Sequence, residues 1–185
     1  LPRLRGTAFD GRFAIPTLEK VLALVASANA SPERKGRPIG VYPETKHPTY
    51  FEGLGLPLEK PLLEALRRHG LDRADAPVFI QSFEVGNLRR LATLTRAPLV
   101  QLIDAGGRPW DFTHGRFART YADMVRPEGL RAIASYARGI GVHKSLVLPR
   151  DGQGRSLPPT TLVRDAHAAG LLVHVWTLRA ENEFL

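Results

Sequence analysis

Five short runs of apolar residues mark the chain, and between them apolar residues recur at the three-to-four-residue spacing of helices. Each run is rich in Val, Ile, Leu or Phe and lacks strict polar alternation, which is typical of strands covered on both faces. The pattern therefore predicts five buried strands, at Ile39–Tyr42, Val78–Phe83, Leu99–Ile103, Ser145–Leu148 and Leu171–Thr177.

Residues typical of helix ends lie between these runs. Thr17 precedes a periodic set that begins at Leu18, and it is predicted to cap that helix. A second helix is predicted from Pro57 to His69 and ends at Gly70, because proline favours the first turn and glycine the position after the last. Further helices are predicted over 84–93, from Pro127, and from Thr160 or Thr161 to Gly170, with a long loop over 104–123 that contains a short helical piece.

Strands that alternate with helices predict right-handed strand–helix–strand units and a parallel sheet in a single domain over residues 1–185. Two architectures fit: an open doubly wound sheet, or a (β/α)8 barrel. A barrel needs eight strands and about 250 residues, so the strand count favours the open sheet. The chain begins with Leu1 and ends at Leu185 just after a strand, which indicates a piece of a longer protein and favours an incomplete barrel.

The first predicted strand carries the most informative polar residues. Side chains alternate across a strand, so Tyr42, Glu44 and Lys46 are predicted to project to the same side, and Pro43 indicates that regular pairing ends there. Functional groups gather at the carboxyl ends of parallel strands. A carboxylate there suits Mg²⁺ or Ca²⁺, and an ammonium suits a phosphate oxygen. The alternative is a structural Glu–Lys ion pair.

Three other predicted strands contribute weaker candidates. Gln81 and Phe83 share one face of the second strand. There Gln81 could hydrogen-bond a ligand and Phe83 could form an apolar wall, although ordinary strand packing explains them as well. Trp176 shares a face with His174 on the last strand and is a candidate wall of a pocket. Lys144, which precedes the fourth predicted strand, could hold a phosphate or belong to a solvated loop.

Composition excludes several classes of function. The chain has no cysteine, which rules out a thiol nucleophile and Cys-ligated zinc within it. Lys and Arg number 26 against 18 Asp and Glu, giving a net charge of +8, but the cations are spread rather than clustered, which disfavours nucleic-acid binding. No apolar run approaches the roughly 20 residues of a membrane span. Walker-type, His-Glu-x-x-His and Gly-x-Ser-x-Gly motifs are absent from the sequence.

Six segments carry a further pattern, namely Phe13–Glu19, Ile39–Pro48, Val78–Glu84, Pro98–Asp104, Thr120–Met124 and Val173–Arg179 followed by Glu181-Asn182. In this order they resemble glycerophosphodiester phosphodiesterases, in particular the bacterial branch that includes periplasmic enzymes. The likeness runs from about Ile15 to the last residue. It implies a (β/α)8 barrel whose first strands and last strand are missing from the chain.

The resemblance implies hydrolysis of glycerophosphodiesters to sn-glycerol 3-phosphate and an alcohol, with Ca²⁺ or Mg²⁺ as cofactor, in lipid and glycerol metabolism. It implies that Glu44 is a metal ligand and that Lys46 faces the phosphate as a catalytic residue. It also implies that Phe83 and Trp176 line the substrate pocket. With less support from the motifs, Gln81 and Lys144 are assigned to substrate binding.

The sequence also departs from the family pattern. The family's His-Arg-Gly, Glu-x-Asp and second-histidine elements, which supply the acid–base pair and further metal carboxylates, do not occur in the chain, nor does the Thr-Asp element of the closing strand. These 185 residues alone are therefore expected to be inactive. The alternative function is an inactive barrel that binds phosphodiesters or a protein partner. The branch resembled implies a periplasmic location, with the cytoplasm as alternative, and the sequence gives no indication of oligomeric state.

Overall fold

Four parallel strands form the sheet of this protein, in the spatial order β1-β2-β3-β4, which is also their order along the chain. The computed structural model describes residues 6–113 and 119–179. The register pairs Ile80 with Leu99, Val100 with Gly139, and Gly139 with Leu172. The strands are β1 Ile80–Ser82, β2 Leu99–Ile103, β3 Gly139–His143 and β4 Leu172–Trp176.

Helices lie between the strands as the sequence predicts, and α4, α6 and α7 pack on the sheet. The Thr17 hydroxyl accepts the N–H of Lys20 at 3.3 Å, so the predicted cap is confirmed. Gly70 and Gly170 follow helix ends with φ of 67° and 79°, a conformation that glycine adopts without strain. The helices are α1 Leu18–Asn29, α2 Pro48–Gly53, α3 Glu59–Arg68, α4 Val85–Leu94, α5 Tyr121–Met124, α6 Pro127–Ala134 and α7 Leu162–Ala168.

The chain divides into two compact units, one ending at Ile39 and the other beginning at Gly40. The first contains α1. The side-chain amide of Asn29, at the end of α1, donates to the carbonyl of Ile39 and accepts the N–H of Ile39, so it holds together the two ends of the segment that follows the helix. The second contains the whole sheet and helices α2 to α7. The single domain over 1–185 stays a prediction. None of the helices in the described ranges is long and apolar enough to cross a bilayer.

The predicted strand Ile39–Tyr42 is wrong, because the structure has only two isolated bridges there, Val41 to Val78 and Glu44 to Gln81. The backbone of 41–45 nevertheless runs beside β1. The N–H of Val41 donates to Pro77 and that of Thr45 to Gln81, while the carbonyls of Val41 and Pro43 accept from Phe79 and Gln81. Pro43 has no N–H, so one rung is missing and the ladder is interrupted, as the sequence indicated.

The predicted strand Ser145–Leu148 is also wrong. A short 3-10 helix occupies Lys144–Leu146, and the strand lies earlier, at Gly139–His143. A search for runs of apolar residues does not find this strand, because two of its five residues are glycines. Their lack of a side chain lets β3 pack closely against its neighbours. A Cβ on Gly139 would lie 2.9 Å from the carbonyl oxygen of Leu172. A Cβ on Gly141 would lie 2.6 Å from Cδ2 of Leu102.

The remaining predicted strands are confirmed with smaller differences. β2 has the predicted bounds and all five of its residues are buried. β1 is shorter than predicted, at three residues. β4 is less covered than a doubly buried strand, because Leu172 and Val175 are 38% and 37% exposed. Among the described residues no strand pairs with the outer edge of β4, so the sheet there is open rather than closed.

Candidate active site

A cavity of about 460 Å³, here called the central cavity, opens at the carboxyl ends of the strands. It contains five of the predicted site residues. Lys144 is not among the described lining residues, and it follows β3 in the 3-10 helix instead of preceding a strand. The lining residues are Tyr42, Glu44, Lys46, Gln81, Phe83, Leu102, Gly141, His174, Val175, Trp176 and Thr177.

Glu44 and Lys46 flank a residue that is anchored on the opposite side of the segment. The predicted alternation is confirmed, since Tyr42, Glu44 and Lys46 all line the central cavity while Thr45 is buried. The Thr45 hydroxyl donates to the Oδ1 atom of Asn87 at 2.6 Å. This buried hydrogen bond fixes the direction in which both neighbouring side chains leave the backbone.

Beyond Thr45, the hydrogen-bonded chain runs through the side chains of Asn87, Glu59 and Arg90. The Asn87 amide donates to Oε1 of Glu59 at 2.8 Å, and the Arg90 guanidinium donates to the same oxygen at 2.6 Å. Burial favours a higher pKa for Glu59, but hydrogen bonds from Arg90 and Asn87 together with the Arg90 charge outweigh it, so the pKa lies below its ordinary value. Glu59 is thus a charged, fully engaged group behind the cavity wall.

Glu44 and Lys46 themselves are exposed, and within the described part of the chain no hydrogen bond or ion pair joins them. The structure therefore does not support the alternative of a structural Glu–Lys pair. A carboxylate and an ammonium that share one cavity without neutralising each other are both available to a ligand.

Aromatic side chains form the opposite wall of the central cavity. The Trp176 indole N–H donates to the carbonyl of Gly141 at 3.0 Å, which fixes the ring across β3. Its ring meets those of Phe83 and His143 edge to face, with centroids 5.9 Å and 5.1 Å away. Such edge contacts are favourable geometries for aromatic pairs. Trp176 and Phe83 thus form a rigid apolar wall facing the charged pair.

A buried glutamine holds the backbone of Phe83 in place. Gln101 is fully buried on β2, and its amide donates to the carbonyl of Phe83 at 2.9 Å. Its oxygen accepts the hydroxyl of Tyr136 at 2.8 Å. Because buried polar groups require partners, this chain of bonds fixes the end of β1 where Phe83 enters the cavity.

Tyr42 and His174 form a contact that the sequence did not predict. The Tyr42 hydroxyl and Nδ1 of His174 lie 2.7 Å apart, and Phe79 packs edge to face on the imidazole at 5.0 Å. Burial lowers the pKa of His174 and raises that of the Tyr42 hydroxyl, so both groups are neutral at pH 7. The alternation along β4 placed His174 on the Trp176 face, but nothing in the sequence linked it to Tyr42.

A second cavity of about 300 Å³, here called the side cavity, adjoins the first and shares Glu44, Lys46 and Phe83 with it. Sequence reasoning did not assign a role to the loop residues that line it, among them Asp104, which follows β2. Its other lining residues are Thr45, His47, Ser82, Glu84, Asp104, Arg108, Trp110 and Tyr121.

The described residues do not by themselves form a metal site. Within 6–113 and 119–179, no three histidine, aspartate or glutamate side chains are grouped so that they could hold a metal ion. Glu44 is the carboxylate that the two cavities share, and one carboxylate is fewer than the six to eight oxygen ligands of Ca²⁺ or the octahedral set of Mg²⁺.

Parallel strands that alternate with helices, with charged and aromatic side chains gathered at the strands' carboxyl ends, define an α/β fold of the barrel type with a site in its usual position. Residues 2–185 match the Glycerophosphoryl diester phosphodiesterase family. The chain belongs to that family, and the predicted resemblance to it is confirmed.

Curated relatives come from plants and bacteria. The chain is 31% identical over 193 aligned residues to glycerophosphodiester phosphodiesterase GDPD6 of Arabidopsis thaliana, covering 98% of this chain and 49% of that protein. It is 25% identical over 186 residues to a glycerophosphodiester phosphodiesterase of Haemophilus influenzae, covering 94% of this chain and 50% of that protein. The chain thus spans about half the length of these relatives.

The solved structures support the same fold. A crystal structure from Agrobacterium tumefaciens, of a protein assigned provisionally as a glycerophosphoryl diester phosphodiesterase, matches with a TM-score of 0.52 at 21% identity. The match covers 87% of this chain and 51% of that one. The predicted barrel-type α/β fold is confirmed, and the four described strands form an unclosed part of it.

Proposed function

We propose that this protein hydrolyses glycerophosphodiesters to sn-glycerol 3-phosphate and an alcohol. The observation that carries the proposal is the central cavity, which places Glu44 and Lys46, not paired with each other, opposite the aromatic wall of Phe83 and Trp176. A phosphodiester of glycerol has the matching chemistry, with an anionic centre beside a short carbon chain. Membership of the family, whose curated members include several named glycerophosphodiester phosphodiesterases, supports this substrate class.

Each predicted site residue has a role in this proposal. Lys46 stabilises the negative charge that grows on the phosphate oxygens, because an ammonium in a partly enclosed site stabilises a developing anion. Phe83 and Trp176 contact the glycerol carbons, and Gln81 hydrogen-bonds a glycerol hydroxyl. Lys144, at the end of β3 outside the cavity lining, binds the substrate from the rim.

We assign to Glu44 one oxygen ligand of a divalent cation, Ca²⁺ or Mg²⁺. Its exposure in the cavity and its lack of an ion pair with Lys46 support this role. The other ligands, and the groups that transfer protons, lie outside the described residues in this proposal. When bound, such a cation would supply additional positive charge next to the phosphate.

The proposal extends to a location and a branch of the family. The six segments named in the sequence analysis resemble the bacterial branch with periplasmic enzymes. We therefore assign the protein to the periplasm and to the turnover of deacylated phospholipids in lipid and glycerol metabolism. Fractionation of the native host, followed by detection of the protein with an antibody, tests the location. Recovery in the cytoplasmic fraction alone contradicts it.

A second candidate is a barrel that binds phosphodiesters or a protein partner without cleaving them. The specific observation in its favour is that the described residues hold no group of three potential metal ligands. It predicts binding of glycerophosphocholine without turnover.

The deciding experiment measures release of glycerol 3-phosphate from glycerophosphocholine by the full-length protein, with and without a chelator. Lys46→Ala is expected to lower kcat by about 10²–10³, because that is the usual effect of losing one group that stabilises a transition-state anion. Glu44→Gln is expected to remove the dependence on added cation together with most of the activity. The matched controls are Lys60→Ala and Glu64→Gln, which change exposed residues of α3 outside both cavities.

The outcomes separate the candidates. Activity that survives both chelation and Glu44→Gln contradicts the assignment of Glu44 to a metal. Unchanged kinetics in Lys46→Ala contradict the role of Lys46 at the phosphate. Binding of glycerophosphocholine in calorimetry without any release of glycerol 3-phosphate favours the non-catalytic barrel.

A further inference from the structure

We propose that the side cavity binds the head-group alcohol of the diester and selects for a cationic head group of the choline type. This inference rests on the proposed function and deepens it, because it names the second arm of the substrate. It is carried by the position of the side cavity, by its aromatic side chains and by the carboxylates at its base.

The two cavities are arranged like the two arms of a phosphodiester. Glu44, Lys46 and Phe83 line both, so they mark the boundary where the phosphate would lie. Two ester arms leave phosphorus in different directions. If the glycerol arm lies against Trp176 in the central cavity, the alcohol arm extends into the side cavity. Its volume of about 300 Å³ is at the lower end of ordinary ligand pockets, which suits a small alcohol.

Aromatic faces suited to an alkylammonium group line the side cavity. Trp110 lines the side cavity and is 52% exposed. Phe83 and Tyr121 stand next to each other, with ring centroids 6.2 Å apart at an interplanar angle of 65°. A quaternary ammonium within about 6 Å of such ring faces is attracted by their electrostatic quadrupole, most strongly by tryptophan.

The base of the side cavity carries negative charge. Glu84 is only 2% exposed, and its Oε1 has no hydrogen-bond partner in the described residues, although Oε2 accepts the N–H of Thr49. Asp104 is half-buried beside it. Burial raises the pKa of the Tyr121 hydroxyl, and the charges of Asp104, Asp111 and Glu84 raise it further.

Lys46 and Arg108 are cations that line the side cavity and oppose this field. Both are exposed, whereas Glu84 is buried and Asp104 is half-buried. The carboxylates are therefore less open to solvent than the two cations, and a charge in water is screened more than a buried one. A cation seated between the rings and the base gains more from Glu84 and Asp104 than it loses to Lys46 and Arg108. A preference for an anionic head group would reverse this conclusion.

The test compares kcat/KM of the full-length protein for glycerophosphocholine, for glycerophosphoinositol, whose head group is uncharged, and for glycerophosphoserine, whose head group carries a carboxylate beside its ammonium. We expect choline to be preferred severalfold, and Trp110→Ala to lower the ratio of choline to inositol by roughly 2- to 30-fold, the range of a cation–π contact. Trp110→Phe should retain most of the ratio, and Asp104→Asn should lower it. Tyr50→Ala, an exposed aromatic outside both cavities, should leave it unchanged.

A ratio measured within one variant is insensitive to partial unfolding, since both substrates report on the same folded fraction. Equal kcat/KM for choline and inositol substrates, or a preference for glycerophosphoserine, overturns the inference while leaving the hydrolase intact. If no substrate turns over, the proposed function fails, and calorimetry with choline chloride then decides the inference separately. Choline binding that Trp110→Ala abolishes and Tyr50→Ala preserves supports it, and absence of choline binding overturns it.

Discussion

At the scale of single residues, the structure uses buried polar groups to orient exposed ones. Thr45 is 4% exposed and Asn87 2%, and neither reaches the central cavity, yet their hydrogen bond sets the direction of the residues next to Thr45. Glu59 is the hub behind them, because it accepts from both Asn87 and Arg90. Such groups are costly to leave unsatisfied, so removing one partner affects all of them.

Glu59 gives a prediction about acid stability. Because the folded pKa of Glu59 lies below its ordinary value of 4.5, its ionised form stabilises the folded state above pH 4.5. That stabilisation is lost as the pH falls from 4.5 through the folded pKa. We expect Glu59→Gln to lower the free energy of unfolding at pH 7 by about 1–3 kcal/mol and to flatten its decline below pH 4.5.

Urea unfolding at several pH values checks this prediction, with the exposed Glu64→Gln as control. A Glu59→Gln protein whose stability falls with acid as steeply as that of the unchanged protein would contradict it.

At the scale of elements, β3 depends on glycine for close approach. A methyl group on Gly139 would meet backbone, at 2.9 Å from the carbonyl oxygen of Leu172, and backbone in a sheet cannot move aside. We expect Gly139→Ala to reduce the free energy of unfolding by about 1–3 kcal/mol, the usual cost of overpacking. Gly53→Ala is the matched control, because a methyl group at the end of α2 meets nothing within 4 Å and alanine favours helix.

Denaturation midpoints of the two variants give the comparison. The prediction holds if Gly139→Ala unfolds at lower urea and Gly53→Ala at equal or higher urea. Equal midpoints for the two variants would contradict the prediction and show that the backbones of β3 and β4 can move apart without loss of stability.

The elements also show what sequence patterns can and cannot predict. β2 was predicted with its observed bounds because four of its five residues are large and apolar. β3 was missed because Gly139 and Gly141 lower its apolar content, although their lack of a side chain is what the packing requires. The apolar run Ser145–Leu148 was mistaken for a strand. His143 accepts the N–H of Ser145 at 3.3 Å and helps turn the chain into a 3-10 helix there.

The candidate site likewise contains some features that sequence patterns predict and others that they cannot. Period-two alternation predicted that Glu44 and Lys46 share a face, since that requires only the local backbone. The contact of Tyr42 with His174 joins residues 132 positions apart and depends on the side on which β4 lies, which no local pattern contains. Trp110 lies in a loop without periodicity, so its place in the side cavity follows only from the folded chain.

At the scale of the whole molecule, the net charge of +8 comes from cations spread along the chain, and some of these cations pair with acids. Arginines on different elements pair with nearby acids, among them Arg67 with Asp72 at 2.6 Å and Arg155 with Asp151 at 2.8 Å. Nucleic-acid binding requires many cations on one face, each releasing a counterion when it meets a phosphate. The distribution of charge thus disfavours nucleic acid as a partner.

We therefore expect weak DNA binding without a steep salt dependence. Fluorescence anisotropy with a labelled duplex of about 20 base pairs, between roughly 50 and 200 mM salt, measures it. A basic DNA-binding domain of similar net charge serves as positive control. Tight binding that falls by several orders of magnitude over this range would show that the cations form a continuous surface.

The division of the site between strand ends and a loop has an evolutionary consequence. The residues at the shared boundary sit on or beside β1, where a change of length would shift the register of the sheet. Asp104, Arg108 and Trp110 lie in the connection after β2, and such loops tolerate insertion and deletion. If the side cavity holds the leaving group, as proposed, relatives with a different loop at this position would differ in leaving-group preference without any change in the residues at the phosphate.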